Sequence, residues 1–167
     1  MLLDKYMANF DFNEIHQTEI NASPAEIYPL LKKIDFTQSW VIKLLFGLRK
    51  LPKEMKNLEG FIKVGFMLLE EKDDEEIVLA FLGNKRGIHQ ISSAEFQDFN
   101  EKGHVLGAWN FSLSKLAEKK TLLTTETRVF CTDKKAKFLF SLYWFFIAPF
   151  SAWTRRIMLK LIKEEAE

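Results

Sequence analysis

Residues 133–166 constrain this chain more than any other stretch, because they read as one long helix whose apolar surface must be covered. Leu139, Leu142, Phe146, Phe150, Trp153, Ile157 and Leu161 recur at steps of three and four, the period of a single helical stripe. Burying seven such side chains contributes roughly 10–20 kcal/mol before entropy is subtracted, so the stripe implies a matching surface elsewhere in the fold. No residue from Phe138 to Trp153 is charged, and Phe140, Tyr143, Trp144 and Ile147 add apolar bulk off the stripe. This half asks for cover on more than one side. Arg155, Arg156, Lys160, Lys163 and Glu164 then restore a polar face. Pro149 removes a backbone donor and clashes with the turn before it, which predicts a kink or a break into two helices.

The 16 uncharged residues fall short of the ~20 that a bilayer span requires. Two roles remain for them. As a cavity roof, the helix turns Leu142, Phe146 and Phe150 toward the rest of the fold. As a surface element, residues 138–153 dock on a membrane or a second copy, since Tyr143, Trp144 and Trp153 beside Arg155 and Arg156 suit a membrane interface.

A chain of 167 residues with 16 Phe and few Gly or Pro is long enough for one aromatic-rich domain spanning 1–167. The net charge of +1 gives no electrostatic footprint for nucleic acid. Cys131 is the single cysteine, so no internal disulfide forms. Asp4 and Lys5 interrupt the first ten residues, which lack a signal-peptide pattern, and the cytoplasm is the expected location.

In chain order, Phe10 to Asn21 reads as a first strand. Ser23-Pro24-Ala25-Glu26 is a capping box with Pro at the first helical position. The helix it opens is expected to bend or shorten at Pro29. Residues 37–49 predict a second short helix ended by Gly47 and Pro52, followed by a basic connection with Arg49, Lys50, Lys53 and Lys56. From Phe61 the period changes to two, with strand-like runs at about 61–70, 75–82, 87–98, 104–116 and 121–131 separated by short polar turns. That pattern is an antiparallel meander. The Glu70–Glu76 stretch reads as a solvated hairpin tip. The predicted fold is α+β: a curved antiparallel sheet of about six strands, two short helices after the first strand, and the long last helix across the concave face.

This element order, with Ile20-Asn21-Ala22-Ser23-Pro24-Ala25-Glu26-Ile27-Tyr28 at the strand-to-helix entry, resembles the START-like (SRPBCC) superfamily with its helix-grip fold. Thr125-Glu126-Thr127-Arg128-Val129, followed by Tyr143-Trp144, Ile147, Pro149, Ser151 and Arg155-Arg156, is similar to an uncharacterised bacterial branch. The resemblance implies a hydrophobic cavity under the last helix. It does not imply one activity, since the superfamily includes lipid carriers, hormone receptors, polyketide aromatase/cyclases and oxygenase domains.

Candidate chemistry is sparse. His16, His89 and His104 show no metal-ligand spacing, no nucleophile triad, P-loop or dinucleotide fingerprint is present, and no cofactor is expected. Cys131 ends an apolar strand and reads as a buried, inert thiol. Trp109 and Phe111, Thr125 and Thr127, and Leu142, Phe146, Phe150 and Trp153 are the candidate cavity-lining residues. The polar candidates are Glu126, Arg128, Tyr143, Arg155 and Arg156. On a strand Glu126 and Arg128 share one face and Thr125, Thr127 and Val129 the other; the charged pair is either a solvated ladder or a polar hook inside the cavity. Arg155 and Arg156 point about 100° apart, so one is solvated and the other is free to pair with a carboxylate or an anionic ligand group. The expected function is binding of a small hydrophobic or amphipathic ligand. An aromatase/cyclase-like enzyme and a membrane- or partner-docking module are the alternatives.

Overall fold

In the computed structural model, which describes residues 1–48, 50 and 52–167, the chain folds as an antiparallel sheet with a 33-residue helix laid across it. A short N-terminal helix α1 (Leu2–Tyr6) precedes β1 (Phe12–Ile20); α2 (Pro24–Lys33), α3 (Trp40–Leu48) and α4 (Leu58–Lys63) follow. Next come β2 (Met67–Lys72), β3 (Glu76–Asn84), β4 (Gly87–His89), α5 (Ser93–Asp98), β5 (Val105–Ala117), β6 (Lys120–Cys131) and α6 (Lys134–Ala166). The strand order is β1-β6-β5-β3-β2, with β4 paired to the far end of β3. Arg49 and Leu51, at the start of the basic connection, lie outside the described residues.

Local chemistry accounts for most element boundaries. Glu26 Oε2 accepts from the Ser23 amide at 2.7 Å and fixes the start of α2. α2 runs through Pro29 to Lys33. Asp133 Oδ1 accepts from the amides of Lys135 and Ala136 at 2.8 and 2.9 Å, capping α6. α6 continues through Pro149 without breaking into two helices.

Two predicted strands are partly helical. The first turn of the run at 61–70 belongs to α4, where Asn57 Oδ1 caps the Gly60 amide at 2.9 Å. Gly60 is required there, because a Cβ would meet the Glu54 carbonyl oxygen at 1.7 Å. The run at 87–98 keeps only β4 as strand. Ser92-Ser93-Ala94-Glu95 forms a second capping box, with Glu95 Oε2 accepting from the Ser92 amide at 2.7 Å, and starts α5.

Both faces of the sheet are covered. On the concave face, Ile77, Leu79, Trp109, Phe111, Leu113 and Leu123 meet Ile27 and Leu31 of α2, Ile42 and Phe46 of α3, and Met158, Leu159 and Ile162 of α6. On the outer face, Val78, Ala80, Leu82, Leu106 and Ala108 pack under Leu3 of α1, Met7 just after it and Phe96 of α5. Each fully buried aliphatic or aromatic side chain contributes about 1.5–3 kcal/mol.

The outer layer corrects the reading of Glu126 and Arg128. They do not form a solvated ladder and do not enter the cavity; they are buried on the outer face beneath α1, with relative exposures of 5% and 7%. Arg128 Nε donates to Glu126 Oε1 at 2.6 Å, Nη1 donates to the Met7 carbonyl at 2.8 Å, and Nη2 lies 2.8 Å from Asp4 Oδ1. Burial opposes the Arg128 charge, but Glu126 and Asp4 more than compensate and hold its pKa above the usual value. Glu76 is likewise not a solvated turn residue. Its carboxylate accepts from the amides of Leu2 and Leu3 at the start of α1 (2.7 and 3.2 Å) and from Asn110 Nδ2 at 2.7 Å.

Candidate functional site

The concave face of the sheet does not close completely against α6. Between them lies a cavity of about 620 Å³, within the size range of small-molecule sites. Its floor is aromatic: Phe61 packs on Trp109 with ring centroids 5.2 Å apart, and Phe66 on Phe81 at 5.5 Å. Gly107 makes that floor possible, since the Phe81 ring occupies the space a Cβ would take, with Cε1 only 2.1 Å from it. The roof is formed by Phe140, Trp144, Ile147, Ser151, Arg155 and Met158 of α6. Tyr143 and Ile88 line the cavity while remaining about half exposed, which marks its mouth.

Trp109 and Thr127 are therefore at the cavity wall. Phe111 and Thr125 share the same sheet face but are fully packed in the core floor. Leu142, Phe146, Phe150 and Trp153 point outward and are exposed, a correction to their placement as lining. The helical period is present, but the apolar stripe that recurs most regularly is rotated from the lining stripe by about a third of a turn. Because the first half of α6 is apolar around its circumference, periodicity alone does not say which side faces the sheet.

The two adjacent arginines separate cleanly. Arg156 is exposed, whereas Arg155 lines the cavity, its guanidinium 3.8 Å from the centroid of the Trp109 ring. Among the described lining residues Arg155 is the one formally charged side chain. Trp109 is 3% exposed and its Nε1 is a buried donor with no hydrogen-bond acceptor among the described residues. Thr127 and Ser151 add hydroxyls to the lining. The site thus presents a cation and hydrogen-bond donors within an apolar envelope, an arrangement suited to an acceptor-rich end on a greasy body.

At the rim, Asn84 Nδ2 donates to His104 Nε2 at 3.1 Å and His89 Nε2 donates to Asn84 Oδ1 at 3.1 Å. His104 Nδ1 then carries its ring proton toward the Glu101 and Lys102 carbonyls at 3.1 Å. His89 and His104, 15 residues apart in sequence, meet on one lining residue, without a carboxylate. Among the described residues no group of His, Cys, Asp or Glu has the make-up of a metal site. Cys131 is buried, and burial with the nearby Asp11 charge pushes its thiol up to about 11.

Sequence reasoning missed a second polar pair. Phe12, Glu14, His16, Thr18 and Ile20 alternate toward the concave face, and Phe12 packs against Phe140 of α6 with ring centroids 5.2 Å apart. His16 Nε2 sits 2.6 Å from Glu14 Oε1, and Glu14 Oε2 is buried with no hydrogen-bond partner among the described residues. Register sets Glu14 opposite Thr127 and His16 opposite Thr125, so the pair adjoins the cavity wall. The i, i+2 spacing on a strand was the available signal.

No protein-family model matches the chain, and no curated protein matches it. Among solved structures it is similar to a hypothetical protein of Helicobacter pylori, with 8% identity and a TM-score of 0.47 over 98% of this chain and 94% of that one. A conserved Enterococcus faecalis protein of unknown function gives 11% and 0.44, covering 98% and 80%. Norcoclaurine synthase of Thalictrum gives 15% and 0.43, covering 93% and 96%.

Proposed function

We propose that this chain is a START-like helix-grip protein that binds a small amphipathic ligand, with the apolar body among the aromatics under α6 and an anionic or acceptor-rich end at Arg155 and Trp109. One observation carries the reading: among the described residues the cavity is apolar apart from a few hydroxyls, an amide and the Arg155 guanidinium, which stacks on an indole whose N–H has no acceptor among them. A carboxylate-ended chain accepts from the Trp109 indole N–H, sits against the Arg155 positive charge, and replaces water with apolar contact along its length. Mass spectrometry of a solvent extract of the purified protein tests this. The expected result is a co-purifying acidic amphiphile near one equivalent. A neutral hydrocarbon-like ligand instead removes the headgroup assignment, and an empty extract from protein that also fails to take up acyl carboxylates removes the carrier reading.

A second reading, an aromatase/cyclase-like enzyme, is favoured by the Glu14–His16 pair beside the wall, since such a pair is able to move a proton at a bound polyketide-like chain. His16→Ala separates the two: it leaves a carrier's affinity intact and abolishes turnover in an enzyme.

A further inference from the structure

The apolar side chains that α6 turns away from the cavity are not scattered. Leu139, Leu142, Phe145, Phe146, Phe150 and Trp153 form one outward face, with Phe145 and Phe146 exposed by 76% and 68%. Trp40, Leu44 and Leu48 form a similar exposed face on α3, which packs against α6. Aromatics exposed in such number mark an interaction surface.

Charge says what it fits. From Lys134 to Lys163 the sequence has Lys134, Lys135, Lys137, Arg155, Arg156, Lys160 and Lys163 but no acidic residue, and residues 40–53 likewise carry only basic charge. At 100° per residue, Lys135, Arg156 and Lys160 fall on the outward face of α6, at its two ends, bracketing the aromatic stretch. All three are exposed. Glu164 pairs with Lys160 at 3.5 Å, yet Lys135 and Arg156 leave the face with a basic excess, which a second copy pressed face to face would set against like charge. No helix among the described residues is long and apolar enough to cross a membrane, so a helix of this pattern lies in the interface plane, aromatics inward and cations at the headgroups. We propose that the outward face of α6, extended by α3, docks the protein on anionic lipid bilayers. This surface stands independently of what the cavity holds.

Flotation of the full chain with phosphatidylcholine vesicles, with and without about 30% phosphatidylserine at about 150 mM salt, tests the proposal. The protein is expected to float with the anionic vesicles and to remain behind with the neutral ones. Phe145→Ser/Phe146→Ser should reduce bound protein roughly tenfold or more, and Arg156→Glu/Lys160→Glu should do the same on anionic vesicles. Both variants alter exposed positions, and an unchanged melting temperature shows that the fold is retained. Absence of flotation with anionic vesicles overturns the proposal, as does flotation that Phe145→Ser/Phe146→Ser leaves unchanged. A dimer in light scattering that the same double substitution dissociates, without flotation, assigns the face to a second copy instead.

Discussion

The Arg155 guanidinium lies over the Trp109 ring at 3.8 Å from its centroid, joining the last helix to the sheet at the wall of the cavity. On the proposed reading, a ligand held by Arg155 would also hold α6 against β5. Arg155→Met keeps much of the stem's packing and removes the charge. It is expected to weaken binding of acyl carboxylates by roughly tenfold or more while leaving binding of the matching alcohols within about twofold. Fluorescence competition against an apolar dye checks both numbers. Equal losses for acid and alcohol would mean that Arg155 only shapes the pocket.

The buried pair on the outer face makes a different kind of prediction. Arg128→Met leaves Glu126 buried without its guanidinium partner, which costs about 3–5 kcal/mol. Glu126→Leu/Arg128→Met removes both charges together and should cost less than the single substitution. Urea unfolding of the two variants, compared at equal slope, decides it. Ligand binding should be unaffected in the folded fraction, since neither side chain reaches the cavity.

Asp4 adds a pH signature to the same layer. The hydrogen bond from Arg128 holds its carboxyl below the ordinary 3.8. A depressed folded pKa means that the contact's stabilisation is fully present above about pH 4, where the unfolded carboxyl is also ionised, and is lost as pH falls through the depressed value. Wild type should therefore melt above Asp4→Asn at pH 5, with the gap narrowing as pH falls below about 4. A gap that persists unchanged to pH 2 would contradict the assignment.

Much of the fold was legible because it rests on local chemistry. The Ser23-Pro24-Ala25-Glu26 box, the period-two runs over β3, β5 and β6, and the polar turns between them each specify their element without tertiary help. The outer layer was not legible, since α1 and α5 have only five and six residues, too few for a period to emerge. Ser92-Ser93-Ala94-Glu95 carries the same box as α2, a local signal for α5 that the strand reading of 87–98 passed over. The alternation of β6 correctly separated Glu126 and Arg128 from Thr127, but their burial depends on α1. On α6 the inward stripe through Phe140, Trp144 and Ile147 competes with an outward one through Leu142, Phe146 and Phe150. Only packing chooses between two apolar faces.

Gly107 gives a steric test of the cavity floor. A methyl group there collides with Phe81 Cε1, Cζ and Cδ1 at 2.1–2.8 Å, and Phe81 lines the cavity. Gly107→Ala should lift the ring into the pocket, lower stability by about 1–3 kcal/mol and reduce affinity more for long chains than for short ones. Adding Phe81→Leu should recover stability and long-chain binding. Chain-length profiles of the two variants by dye displacement check the expectation.

The proposed function places the apolar body of an anionic amphiphile in the space under α6. Calorimetric titration with dodecanoate and with dodecanol, on wild type and Ile147→Trp, tests it most directly, because Ile147 faces the cavity and an indole there occupies the ligand's volume. The expected result is saturable one-to-one binding of dodecanoate to wild type, roughly tenfold tighter than dodecanol, and weaker binding of both in folded Ile147→Trp. Affinity unchanged in folded Ile147→Trp, or no saturable binding of either compound to wild type, would contradict it.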